Sequence, residues 1–299
     1  MPNFRAFTSA SLPRRFVLAI TASLALWAQA AHAADTIQVT ASFSILGDLV
    51  SAVGGERVRV NTLVGPDQDA HTFEPKPSDA KTLLGSQMLV TNGLDFEPWA
   101  SKLAKSAGYK GALVVTSQGV KARPHDPHAW QNPANVVLYV GNIAAGLSKL
   151  DPSGKVSYQS NAEAYVKELQ ALDSWAEAQF ASIPVAQRKV ITSHDAFGYF
   201  ADRYQITFLA PQGMNTDVEP SAKQVAQLIS QIKREKIRAV FVENMSSPKL
   251  VAQLSQDAGA KVGAKLYADA LSAPGQPGAT YLQMMRHNVT QLAAGMKLN

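Results

Sequence analysis

Residues 151–184 read DPSGKVSYQSNAEAYVKELQALDSWAEAQFASIP. Asp151 can cap a helix, Pro152 suits a first helical position and Pro184 ends one. Between them Tyr158, Ala162, Tyr165, Leu169, Leu172, Trp175 and Gln179/Phe180 recur at spacings of three and four, which places them on one helical face. Such a helix spans roughly 40 Å and connects more stiffly than a glycine–serine linker. On either side the pattern changes. Strands are expected at Ile37–Ala41, Val58–Val64, Met88–Thr91 and Ala112–Thr116, and again at Lys189–Thr192, Thr207–Leu209, Ala239–Val242 and Val262–Tyr267. Helical stretches near 44–53, 78–85, 97–107, 134–150, 195–203, 221–236, 248–258 and 278–297 separate them. Alternation of this kind predicts parallel sheets with flanking helices. The expected fold is α/β: two lobes, each a mainly parallel four-stranded sheet, joined by one long helix.

The start of the chain carries a different signal. Residues 1–33 contain Arg5, Arg14 and Arg15 and no acidic residue, then the apolar run Phe16–Ala28, then Ala31-His32-Ala33. A basic stretch, an apolar core and a small-x-small site read as a cleaved signal peptide, cut after Ala33 or Ala30. The apolar run is shorter than the roughly 20 residues a membrane helix needs. The expected organisation is therefore a leader at 1–33, an N-terminal lobe at 34–150, the connecting helix at 151–184 and a C-terminal lobe at 185–299.

Composition narrows the function. The formal charge of +5 falls to +2 once the three leader arginines are removed. With no basic cluster interleaved with aromatics, the mature chain is a poor nucleic-acid binder. The chain has no cysteine, which excludes disulfides, thiolate metal sites, cysteine nucleophiles and attachment to lipid through a cysteine. The expectation is a soluble, monomeric protein of the periplasm.

Walker, G-x-G-x-x-G, G-x-S-x-G and H-E-x-x-H motifs are absent. Histidines carry the remaining information, and five of the six lie beyond the leader. His71, His128 and His194 each follow an expected strand, and Asp269 follows the last one. Taken singly, each histidine reads as a surface or core residue. Together they share the carboxyl edge of open parallel sheets, where ligands bind. Three imidazoles and a carboxylate suit a first-row divalent metal, and two donors from each half would place it in the cleft between lobes. His287 reads as a solvated helix face and His125 as an accessory donor at most. Glu74, Asp195 and Glu243 lie near strand ends and read as a loop hydrogen bond, a helix cap and a strand-end salt bridge. Trp99, Trp130 and Trp175 read as packing.

The stretches Asp67–Asp79 (DQDAHTFEPKPSD), Asp126–Trp130 (DPHAW) and Ser193–Phe200 (SHDAFGYF) resemble the zinc- and manganese-type solute-binding proteins of ABC transporters. Glu219-Pro220-Ser221 and Leu266-Tyr267-Ala268-Asp269 fit the same pattern, and the motifs run in order along the mature chain. The resemblance implies two α/β lobes joined by a rigid helix, with one metal ion in the cleft held by His71, His128, His194 and Asp269. Some members carry glutamate where His194 stands. Many zinc-specific members carry a long histidine-rich loop where this chain has only Arg123–His128.

The expected activity is thus capture and not catalysis: one divalent transition metal as cargo, zinc favoured over manganese, delivered to the membrane permease of an ABC importer. Two alternatives use the same residues. One is a periplasmic metallohydrolase with Glu243 or Asp195 as base, which needs an open coordination position. The other is a metal-binding adhesin.

Overall fold

The computed structural model describes residues 36–299; the leader and its cleavage site lie outside them. The first sheet comprises β1 (Ile37–Phe43), β2 (Val58–Val64), β3 (Met88–Thr91) and β4 (Ala112–Val115) in the order β2-β1-β3-β4, parallel throughout. The second comprises β5 (Lys189–Ile191), β6 (Thr207–Leu209), β7 (Ala239–Val240) and β8 (Lys261–Val262) in the order β6-β5-β7-β8, also parallel. Helices α1 (Ser44–Gly54), α2 (Pro77–Leu84), α3 (Pro98–Ser106) and α4 (Pro133–Leu150) accompany the first sheet. Then come α5 (Lys155–Ala181) and the second set, α6 (Gly198–Tyr204), α7 (Ala222–Glu235), α8 (Pro248–Ala258) and α9 (Tyr281–Met296).

Both sheets are wound the same way. The chain enters an interior strand, lays the next strand on one side and then crosses to the other. The reversal falls between β1 and β3 in one sheet and between β5 and β7 in the other. In open α/β sheets the crevice at that reversal, beyond the carboxyl ends of the strands, receives the ligand. Strand β1 is buried along nearly its whole length, Thr40 and Ser42 included, as befits a strand covered on both faces.

The long helix α5 packs on α1 and α4 on one side and on α9 on the other. Its buried face is Tyr158, Ala162, Tyr165, Leu169, Leu172, Ala176 and Phe180. Ala176 replaces the expected Trp175, which is half-buried with the Arg286 guanidinium 5.2 Å from its ring centre. One hydrophobic core runs from β1 through α5 to α9 and takes in both sheets' inner faces. A second, under α7 and α8, gathers Ile191, Leu228, Ile232, Val251 and Leu254.

Three local expectations are corrected. Pro152–Gly154 form a separate 3-10 turn before α5, with Asp151 accepting from Ser153 N at 3.1 Å. Burial would raise the Asp151 carboxyl, but bonds from Ser153, Arg57 and Tyr158 hold it well below the usual carboxylate range. Strand β8 stops at Val262, short of the expected Tyr267, and Gly263 lies against the Phe241 ring, where a Cβ would lie 2.7 Å from a ring carbon. Gly263 N–H still donates to Val240 O at 2.7 Å, and the next bond to this neighbour is from Leu266 N–H to Val242 O at 2.9 Å. Helix α6 begins at Gly198, not near 195, because Ser193–Phe197 form a loop tied to Gly213 O through Asp195 N–H. Asp195 is therefore not its cap.

Candidate metal centre

Each of the four expected donors is set by its own local chain. His71 sits in the loop between β2 and α2, where Asp69 Oδ1 accepts its backbone N–H at 2.8 Å. The preceding carbonyl, Ala70 O, is fixed by the indole N–H of Trp99 at 2.8 Å. His128 lies well past β4, just before a 3-10 turn, and Asp126 Oδ1 accepts its backbone N–H at 3.0 Å. His194 follows β5 directly, and its N–H donates to Glu243 Oε1 at 3.1 Å. Asp269 follows the Leu266 bridge; Ala268 O accepts from Trp130 Nε1 and Gln131 Nε2, both at 2.9 Å. Trp99 and Trp130 are buried packing residues, as expected, and each also holds the residue just before a candidate donor.

The structure brings His71, His128, His194 and Asp269 together, with one donor atom from each lying within 4.8 Å of all the others. His71 Nε2 is 3.2 Å from His128 Nε2 and 3.2 Å from Asp269 Oδ2. His194 Nε2 lies 3.1 Å from Asp269 Oδ2, and His128 Nε2 lies 3.7 Å from Asp269 Oδ1. At zinc–ligand bonds of roughly 2.1 Å, the corners of a tetrahedron are about 3.4 Å apart. The observed spacings lie on either side of that value, and all four donor atoms stay within 4.8 Å of one another, close enough to share one ion. His128, His194 and Asp269 are fully buried and only His71 reaches the surface, through a cavity of about 390 Å³ also lined by Asp95, His125 and Met214.

The outer ring nitrogens fix which face each imidazole presents. His128 Nδ1–H donates to Asp126 Oδ1 at 2.9 Å, and His194 Nδ1–H donates to Glu243 Oε2. In both, the carboxylate takes the Nδ1–H and turns Nε2 inward, the arrangement that a carboxylate partner imposes on a metal-binding histidine. His194 Nε2 and both Asp269 oxygens are buried without a hydrogen-bond partner; their 3.1 Å approach is an ion-pair distance that lacks hydrogen-bond alignment. Buried polar atoms left this way are costly, and a cation would satisfy all three.

Electrostatics agree. Burial alone would lower the His194 imidazole, but Glu243 and Asp269 outweigh it and push its pKa well above the ordinary value. Burial would raise Asp269, but His194 and His128 outweigh it and hold the carboxyl well below its ordinary range. An aromatic wall closes the N-terminal side, with the Phe96 ring 4.7 Å from both the His71 and Trp130 rings.

Sequence reasoning missed the supporting residues. Glu243 was legible as a strand-end carboxylate but read as a salt bridge or a candidate base; it is buried and committed to Ser193 N–H, His194 N–H and His194 Nδ1–H. Asp126 had a usable signal, because Asp69-x-His71 and Asp126-x-His128 share one spacing. Arg123 and Asn92 had none. His125 is exposed on the approach cavity at φ 59°, and His287 Nε2 meets Lys265 O at 2.8 Å on the far side of the C-terminal lobe.

The family model of the periplasmic zinc-uptake complex component A matches residues 39–295. The manganese-binding lipoprotein MntA of Halalkalibacterium halodurans is 32% identical over 268 residues, covering 88% of this chain and 89% of that protein. The iron ABC transporter substrate-binding lipoprotein MtsA of Streptococcus pyogenes serotype M1 is 30% identical over 277 residues, covering 88% and 89%. Among solved structures, the periplasmic zinc binding protein TroA from Treponema pallidum superposes with a TM-score of 0.84 at 25% identity, over 87% of this chain and 99% of that one. The two-lobed α/β fold, the shared helix and a match along the whole described chain make this protein a member of the zinc-uptake complex component A family, the substrate-binding proteins of metal ABC transporters.

Proposed function

We propose that the chain captures one divalent transition metal ion in the periplasm, with His71, His128, His194 and Asp269 as its ligands, and delivers it to the permease of an ABC importer. The observation that carries this reading is the convergence of three inward Nε2 atoms on a buried, unpartnered carboxylate. Zinc is favoured over manganese. Three imidazoles suit a borderline ion, manganese accepts more oxygen, and the Irving–Williams order ranks zinc above manganese for a given site. The relatives are named for manganese, iron and zinc, so the choice rests on the donor set. Four protein donors around one ion leave no place for an activated water, which supports carriage over hydrolysis. Glu243, one of the two bases a hydrolase could use, is occupied with His194. The leader supports export with cleavage, and a monomer is expected to meet the permease.

The test is the metal content of the mature protein purified without added metal, with a competition titration of zinc against manganese. One equivalent of zinc that manganese does not displace is the expected result. Absence of any stoichiometric divalent ion overturns the reading; retention of manganese against zinc overturns the metal choice alone.

A further inference from the structure

His128 is held by a chain of contacts that leaves its own lobe. Asp126 accepts the His128 ring N–H with Oδ1 and the Arg123 Nε–H with Oδ2, the latter at 3.1 Å. Arg123 in turn reaches α6 of the other lobe. Its Nη1–H donates to Asp202, its backbone N–H donates to Tyr199 Oη at 2.8 Å, and its guanidinium lies 5.7 Å from the Tyr199 ring centre. Tyr199 Oη–H donates back to Asp126 O at 3.3 Å.

The seat of this cluster is Gly198, the first residue of α6. A Cβ there would lie 2.2 Å from Asp126 Oδ2 and 2.8 Å from Arg123 Nε, closer than real Cβ contacts come. The backbone of Gly198 is not in the left-handed region, so its missing side chain answers to the cluster and not to the helix. Access is the second observation. His71 borders the approach cavity, but His128, His194 and Asp269 are fully buried, so parting the lobes is what opens these three to an ion. Parting the lobes takes Gly198, Tyr199 and Asp202 away from Arg123 and Asp126.

We propose that Arg123, Asp126, Tyr199 and Asp202, seated on Gly198, form a clasp that couples closure of the lobes to the orientation of His128. Asp126 is a positioning residue: it fixes the Nδ1–H tautomer and leaves Nε2 for the ion. Arg123 carries the state of the opposite lobe to Asp126. Closure anchors Arg123 at both ends and locks the Asp126 carboxylate; opening releases one end and loosens His128. The inference rests on the metal-capture reading above, and it assigns the clasp to retention of the ion.

The experiment uses the full mature chain and zinc alone, with release followed by stopped-flow transfer to a chelator. Gly198→Ala favours helix but drives its Cβ into Asp126, so zinc release is expected to quicken roughly tenfold or more, within the range for loss of a supporting partner, with association little changed. Asp202→Asn, on an exposed side chain, is expected to quicken release several-fold, and Asp202→Glu to restore it. Gly141→Ala, in α4 where an added Cβ meets nothing within 4 Å, should leave the rate unchanged. Unaltered release in both Gly198→Ala and Asp202→Asn overturns the clasp while metal capture stands. If Gly198→Ala does not fold, Asp202→Asn decides alone. A parent chain that binds no zinc overturns both readings.

Discussion

The ring Nδ1–H of His194 is donated to the carboxylate of Glu243, and both residues are buried where β5 and β7 end side by side. This is the reversal point of the second sheet. Glu243 also accepts the backbone N–H groups of Ser193 and His194, at 2.9 Å and 3.1 Å, so the same carboxylate sets the loop and the ring. Glu243→Gln keeps an acceptor but loses the charge that makes the imidazole a better donor. Metal affinity is expected to fall about tenfold, and by nearer a hundredfold for Glu243→Ala. Competition titration against a chelator of known affinity reads this. Parental affinity in both variants would remove Glu243 from the site.

The first sheet has a matching carboxylate at its own reversal point. Glu97 is buried, and it accepts from Ser42 Oγ at 2.8 Å, from Asn92 N–H and from Gly93 N–H at 3.3 Å. Burial outweighs these donors and pushes its pKa to about 7. The folded protein therefore binds this proton more tightly than the unfolded chain. The stability so contributed is complete below the unfolded value of about 4.5 and is lost as pH rises through about 7. The loss is on the order of 3 kcal/mol. Denaturant unfolding of metal-free protein at pH 5 and pH 8 should show that decline. In Glu97→Gln the decline should be smaller by the same amount; an identical pH slope in both proteins would contradict the assignment.

Proton and metal compete at His194. Glu243 and Asp269 push the imidazole well above its ordinary value, so a proton competes with the ion for Nε2 more strongly than at an ordinary histidine. Lowering the pH therefore weakens metal binding, and the weakening begins above pH 6.5, where an ordinary histidine would still be mostly neutral. Calorimetric titration of zinc at pH 7 in buffers of different ionisation enthalpy should show net proton release. Binding without proton release, or affinity that is flat from pH 8 to pH 5, would count against the site.

The sequence carried the coarse fold because each strand is a short apolar run bounded by helical periodicity, and because residues 155–181 hold one apolar helical face. It singled out His71, His128, His194 and Asp269, which the structure brings together, although only His194 closely follows its strand. It did not carry the early end of β8 at Val262. Nor did it carry the network that links Tyr139 to Asn92 and Asn92 Nδ2–H to Pro127 O at 2.9 Å, next to His128. Local pattern reports which face of an element is apolar. It does not report which distant polar group meets which, and apart from Asp126, two residues from His128, the supporting residues of this site are of that second kind.

The three histidines are not equivalent, and their difference is measurable. His128 and His194 are fully buried with a carboxylate on Nδ1. Among the described residues no carboxylate takes Nδ1 of His71, whose ring edges the approach cavity. His128→Ala and His194→Ala each delete a ligand and leave a buried carboxylate, Asp126 or Glu243, without its partner, which adds destabilisation to the lost bond. His71→Ala leaves a position that water can fill from the cavity. All three should lose zinc affinity by orders of magnitude. Only His128→Ala and His194→Ala should also lower the melting temperature of metal-free protein, by an amount equivalent to about 1–3 kcal/mol. Zinc at a thousandfold excess over Kd should stabilise the parent by about 4 kcal/mol, and none of the three variants at that same concentration. Thermal melts with and without zinc compare all four proteins directly. Equal destabilisation of the three metal-free variants would show that the carboxylate partners do not distinguish these histidines.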